Sequence, residues 1–188
     1  MKQNSINVRK ITYLAALTAI VVVLQLAGSF IRFGIFSISA VLVPIVMGSA
    51  LCGAVSGAWL GLVFAIVVLV SGDATAFMVI DPFGTVLTVI LKGVLCGLCA
   101  GIAYKLLSRF NKYLAVIASA VVCPLVNTGV FLIGSRLFFW ETVAEWAGST
   151  VAADILVYLV GLNFPAELVL NIVLAPVILR LLNLKLKK

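Results

Sequence analysis

Long apolar runs, broken by brief polar turns, set the pattern of this chain. Between Arg32 and Asp73 forty consecutive residues carry no formal charge. That is about twice the ~20 residues one helix needs to cross a hydrocarbon core ~30 Å thick, so the run holds two crossings. The same reading predicts six helices, at 11–30, 37–52, 53–71, 84–107, 113–134 and 154–182. The first is longer than the apolar core of a usual secretory signal and lacks a small-residue cleavage site, so it is read as a retained helix. Little lies outside the six. The expectation is an all-α, polytopic membrane protein: one six-helix bundle over residues 1–188, with no soluble catalytic appendage.

Composition strengthens this reading. The chain is 64% hydrophobic and 10% charged, and its mean hydropathy of +1.31 lies far above that of soluble domains. A net charge of +7 raises the question of nucleic acid, but the positions of the charges answer it differently. Lys2, Arg9 and Lys10 precede the first helix, Lys105, Arg109 and Lys112 surround the turn between the fourth and fifth, and Arg180, Lys185, Lys187 and Lys188 close the chain. Asp73, Asp81, Glu141, Glu145 and Asp154 fall on the opposite side of a six-helix topology. By the positive-inside rule both termini are cytoplasmic, with contact to anionic lipid as a secondary effect.

Polar groups inside the apolar segments carry the candidate chemistry, because an ionisable side chain in a bilayer is costly unless it faces a partner or a cavity. The stretch YLVGLNFPAELVLNIVLAP, residues 158–176, holds Asn163, Glu167 and Asn171 at four-residue spacing around Pro165, which places all three on one helical face. Lys92 in the fourth helix and Asn127 in the fifth lie at the depth of Asn163, roughly 10–13 Å from the outer helix ends at 1.5 Å per residue. Pro165 and Pro124 each leave a carbonyl without its helical donor beside these amides. Together they predict an outward-facing pocket for a small polar molecule. The alternative is a buried Lys92–Glu167 ion pair with the asparagines as interhelical hydrogen bonds; the two are compatible, since such a pair can separate to meet a ligand.

The small residues divide similarly. Gly53, Gly57 and Gly61 in the third helix and Gly93, Gly97 and Gly101 in the fourth form GxxxGxxxG stripes, expected to pack helices inside the molecule. Ala15 and Ala19 in the first helix form a milder stripe, for which an external partner is an option. Cys52, Cys96, Cys99 and Cys123 sit in apolar segments with no histidine anywhere, so CGLC at 96–99 is read as packing rather than as a metal or redox site. The outer connections at 32–36, 71–84 and 135–154 are aromatic and acidic, the composition of a binding lid or, for Phe138, Phe139, Trp140 and Trp146, of an interfacial belt. There is no P-loop and no histidine, which excludes ATP binding through a Walker motif, HExxH metalloproteases and Ser-His hydrolases. An enzyme is not expected, nor any cofactor or metal.

In size, in six predicted helices with both termini inside, and in the order of VRKITYLAALTAI, the glycine-rich third and fourth helices, CPLVNTGVF and LNFPAELVLN, the whole chain resembles the substrate-binding S components of energy-coupling factor (ECF) vitamin transporters. That resemblance implies a multi-pass subunit of a bacterial plasma membrane that captures a micronutrient from outside. It then works with a transmembrane coupling protein (T component) and two cytoplasmic ATPases, and topples in the bilayer to release the ligand. It further implies that Ala15 and Ala19 contact the coupling protein, that Lys92, Asn127, Asn163, Glu167 and Asn171 face the ligand, and that Arg32 and Asp81 lie near its lid. Lysine and arginine suit a carboxylate, while Glu167 and the amides suit hydroxyl and amide groups; the chain is most similar to the pantothenate-type members. A pyridoxine or hydroxymethylpyrimidine ligand, riboflavin or folate are the alternatives within the family. Outside it stand a proton-coupled secondary transporter using Glu167 and Lys92, and an assembly subunit whose polar residues only hold helices together.

Overall fold

A computed structural model describes residues 2–30, 32–33, 36–37, 40–142, 165 and 167–180. Helix α1, Lys2–Phe30, leads into a two-stranded antiparallel ribbon of β1, Arg32–Phe33, and β2, Phe36–Ser37, in which Arg32 pairs with Ser37 and Phe33 with Phe36. Then follow α2, Leu42–Cys52, α3, Ala54–Ser71, the short α4, Thr75–Met78, α5, Pro82–Leu107, and α6, Lys112–Gly134. Beyond α6 the chain continues as a π-helical turn, Ser135–Phe139, and residues 167–180 form a last helix, α7. Four described helical stretches are long and apolar enough to cross a membrane: Val8–Ser29, Ala54–Ser71, Pro82–Leu107 and Lys112–Thr142. The 11 residues of α2 rise only about 16 Å at 1.5 Å each, short of a ~30 Å core.

The start of α2 corrects the expected helix over 37–52. Ser37 is committed to the ribbon, whose pairing satisfies the backbone there in place of a helical turn. Gly53 is likewise not part of the packing stripe. It has φ +98° with open space where a Cβ would stand and breaks α2 from α3, a backbone conformation that glycine reaches without penalty.

Helix α5 is the axis of the molecule, packed against α3 on one side and α6 on the other. The α3–α5 contact runs on glycine: a Cβ on Gly57 would overlap the Gly97 carbonyl, one on Gly61 the Gly93 carbonyl, and each reverse substitution would meet the same backbone. Without a hydrophobic drive between lipid-immersed helices, this backbone approach is what dispersion and weak Cα–H···O contacts need. Buried hydroxyls tie the other elements on. Ser49 Oγ donates to the Gly97 carbonyl at 3.0 Å, joining α2 to α5, and Ser119 Oγ to the Ala100 carbonyl at 2.9 Å, joining α6 to α5. The core lies among α1, α2, α3, α5, α6 and α7, around Val21, Ile45, Leu60, Phe64, Cys96 and Ile178. On α1, by contrast, Ala15, Ala16 and Ala19 are exposed.

Candidate functional site

Helix α5 begins where Asp81 accepts from the Gly84 amide at 3.0 Å and Pro82 takes the first helical position, a combination that satisfies one orphan donor and presets φ. This start, two residues earlier than the sequence indicates, places Lys92 roughly 15 Å into the helix, near the middle of a ~30 Å core. Antiparallel register with α6 then decides what Lys92 meets. Phe138 packs at Gly84, Thr88 at Gly134, Cys123 at Cys96 and Ser119 at Ala100. The level of Lys92 therefore faces the stretch from Asn127 to Phe131.

The Lys92 ammonium is partly buried and lies 5.1 Å from the Phe131 ring centroid and 5.7 Å from that of Phe64, within the range where a ring quadrupole attracts a cation. Glu167 and Asp73 are the carboxylates whose charges reach it. Glu167 is buried on α7, and Asn171, 1% exposed, lies one turn further along the same face and donates its Nδ2 to the Glu167 carbonyl at 2.8 Å. Thus Asn127 of α6 and Glu167 and Asn171 of α7 are buried, and the partly buried Lys92 of α5 lies within electrostatic reach of Glu167, with α3 adding Phe64 as a wall the sequence did not indicate.

Four buried side-chain atoms among the described residues have no hydrogen-bond partner: Asn127 Oδ1, Asn171 Oδ1, Thr88 Oγ1 and Ser135 Oγ. An orphaned buried polar atom forgoes about 1–3 kcal/mol and calls for an explanation. The four come from α5, α6, α7 and the π-helical turn, a pattern expected of a site that a ligand completes.

An aromatic chain closes one end. Phe131 meets Phe77 of α4 edge-on at 5.6 Å, Phe77 meets Phe139 at 5.1 Å, and Phe139 meets Phe138 at 6.2 Å. Phe139 is 1% exposed, so it is a core residue of this cap and not part of an interfacial belt. The π-helical turn brings it there, since the extra residue rotates Ser135 and Phe139 inward while Arg136 and Leu137 stay exposed. On the outer side of that turn a cleft of about 420 Å³ runs along Arg136 to Thr142, with the Arg136 guanidinium stacked 3.7 Å from the Trp140 ring centroid. Next to the cap, Gln25 Nε2 donates to Asp73 Oδ2 at 2.8 Å and Ser71 Oγ to the same oxygen at 3.2 Å, fastening α1 to the segment between α3 and α4.

Of the residues singled out from sequence, Lys92, Asn127, Glu167 and Asn171 are set about one region; Asp81 is occupied as the cap of α5. Arg32 lies in β1, and Asn163 and Trp146 fall outside the described residues. Thr88, Ser135, Phe64, Phe77, Asp73 and Gln25 were not anticipated. Thr88 stands one turn before Lys92, the one signal that was available for it. Cys52, Cys96, Cys99 and Cys123 are reduced, three of them buried, and Cys96 Sγ lies 3.1 Å from the Gly93 carbonyl, consistent with packing.

A family model described as the substrate-specific component of ECF transporters matches residues 9–182. Neither a curated protein nor a solved structure matches the chain.

Proposed function

This chain belongs to the family of ECF transporter substrate-specific components, and from that premise we propose that it captures pantothenate between α5, α6 and α7 and hands it inward. Membership makes it a membrane substrate-binding subunit rather than an enzyme, one that works on a small molecule with a T component and ATPases. The observation that carries the choice of site is a set of buried atoms without partners, Asn127 Oδ1, Asn171 Oδ1, Thr88 Oγ1 and Ser135 Oγ, on α5, α6, α7 and the π-helical turn, in the same part of the molecule as the Lys92 ammonium and the Glu167 carboxylate. A carboxylate satisfies Lys92. Amide N–H and hydroxyl groups satisfy the carbonyl oxygens of the two asparagines. Pantothenate has one carboxylate, one amide and two hydroxyls.

In this reading the chain crosses the bilayer six times with both termini in the cytoplasm, the membrane is a bacterial plasma membrane, and the pocket opens to the other side near Asp81 and Arg32. Asn163, four residues before Glu167 in sequence, is in this reading a further ligand contact. The exposed Ala15 and Ala19 on α1 receive a helix of the T component, which small residues allow to approach closely. The test is native mass spectrometry of gently purified protein, followed by calorimetric titration with pantothenate, pyridoxine, hydroxymethylpyrimidine, riboflavin and folate. Retained or preferential binding of pantothenate supports the assignment. Preference for another vitamer replaces the substrate, and no binding by any overturns the site.

A further inference from the structure

Six serine or threonine hydroxyls are buried among the described residues. Ser56 and Thr85 each donate to the carbonyl four residues earlier, the usual resort of a hydroxyl inside a helix, Ser49 has both the Ile45 and the Gly97 carbonyls within reach of its one proton, and Ser119 donates across to Ala100. Thr88 and Ser135 do neither, although Thr88 has the Gly84 carbonyl of its own helix one turn back. Both belong to one α5–α6 contact: a Cβ on Gly134 would overlap the Thr88 side chain, and Ser135 is the next residue, buried at the start of the π-helical turn. Glycine at 134 is what lets Thr88 approach this turn. Thr88 is 3% exposed and Ser135 7%, so neither hydroxyl has ready access to bulk water. Along α5 this pair lies one turn, about 6 Å, from Lys92 toward the Asp81 end, beneath the cap in which Phe139 is buried.

From this we infer that Thr88 and Ser135 form a hydroxyl-reading subsite, so that the substrate is a hydroxylated carboxylic acid bound with its carboxylate at Lys92 and its hydroxyl end under Phe77 and Phe139. Each side chain can donate one hydrogen bond and accept others, which suits a ligand hydroxyl that must do both. A site built this way rejects a ligand lacking the hydroxyl, because the two protein groups are then left unpaired in a dry place. The inference rests on the proposed binding region and adds the groups that set its selectivity and the direction in which the ligand lies.

The probes are pantothenate and its dideoxy analogue N-(3,3-dimethylbutanoyl)-β-alanine, which keeps the carboxylate and the amide and loses both hydroxyls. Wild-type protein is expected to prefer pantothenate by a factor of ten or more, and T88V/S135A to lose about tenfold or more of that preference, since each hydroxyl contributes on the order of a tenfold effect. Ligand-free T88V/S135A is expected to melt no lower than wild type, because no internal hydrogen bond is removed. A preference that survives the double substitution overturns the subsite. So does a fall in ligand-free melting temperature of about 3 °C or more, the size expected for loss of a structural bond in a chain this long. Should wild type bind neither probe, the pantothenate reading fails by itself. The ligand-free melting temperature then decides the subsite alone: unchanged or raised, the hydroxyls are reserved for another hydroxylated ligand; lowered, they are structural.

Discussion

Replacing Lys92 with methionine keeps an unbranched side chain of similar length and removes the ammonium, so it separates charge from packing. In the structure the ammonium is held over Phe131 at 5.1 Å and Phe64 at 5.7 Å. Those cation–π contacts, about 0.5–2 kcal/mol each, exist before any ligand arrives and largely cancel from the affinity difference. What remains is the charge-assisted hydrogen bond from ammonium to ligand carboxylate, about 1.5–3 kcal/mol. At 1.4 kcal/mol per decade, pantothenate should bind Lys92→Met about 10- to 150-fold more weakly than wild type. Pantothenol, in which a hydroxymethyl group replaces the carboxylate, should bind both proteins about equally. Isothermal titration of the two ligands against the two proteins in detergent or nanodiscs reads this directly. The opposing account makes Lys92 a purely structural partner of Glu167, in which case its removal leaves a buried carboxylate uncompensated at about 3–5 kcal/mol. A large fall in ligand-free melting temperature together with unchanged pantothenate affinity refutes the reasoning.

Other consequences follow from the packing and the caps. Gly61→Val drives a side chain into the Gly93 carbonyl, which backbone cannot yield cheaply. It should cost at least the 1–3 kcal/mol typical of overpacking, seen as loss of monodisperse protein on fluorescence-detected size exclusion, whereas Gly53→Ala at φ +98° should cost about 1 kcal/mol through backbone strain alone. Asp81→Ala removes the α5 cap and should lower stability by about 0.5–2 kcal/mol; a more than tenfold loss of pantothenate affinity without that destabilisation would assign Asp81 to the ligand instead. Gln25→Leu withdraws a donor from the Asp73 carboxylate and should cost about 1.5–3 kcal/mol, read as a lower melting temperature. Ala15→Trp and Ala19→Trp should abolish co-purification with a co-expressed T component and its ATPases while leaving pantothenate titration intact; survival of the complex with both tryptophans in place counts against that surface.

The membrane character, the stripes of Gly57, Gly61, Gly93, Gly97 and Gly101 and the polar residues of α5, α6 and α7 were legible in the sequence because each follows from spacing along one helix. Features that depend on register between elements were not. Gly53 belongs to the same fourfold spacing as Gly57, and only its positive φ separates a helix break from a packing position. The residues from 37 onward are apolar enough for a helix, yet pairing with Arg32–Phe33 claims the first of them. Phe139 reads as a belt aromatic until the π-helical turn rotates it inward. Asp81-Pro82 was a readable helix start, an N-cap followed by proline at the first position. Thr88 and Ser135 offered nothing comparable, since a helical hydroxyl ordinarily satisfies itself on its own backbone, and only the structure reveals two that do not.

In the proposed function, buried amides and hydroxyls without partners and the Lys92 ammonium are kept in the bundle in order to hold a nutrient. A high-resolution structure of the protein loaded with pantothenate tests it most directly. Expected there are the carboxylate within hydrogen-bonding distance of Lys92 Nζ, and Asn127 Oδ1 and Asn171 Oδ1 each accepting from the ligand or from water bound to it. Ligand density elsewhere, with Lys92 closed on Glu167 and the two asparagines satisfied by protein groups alone, would contradict it.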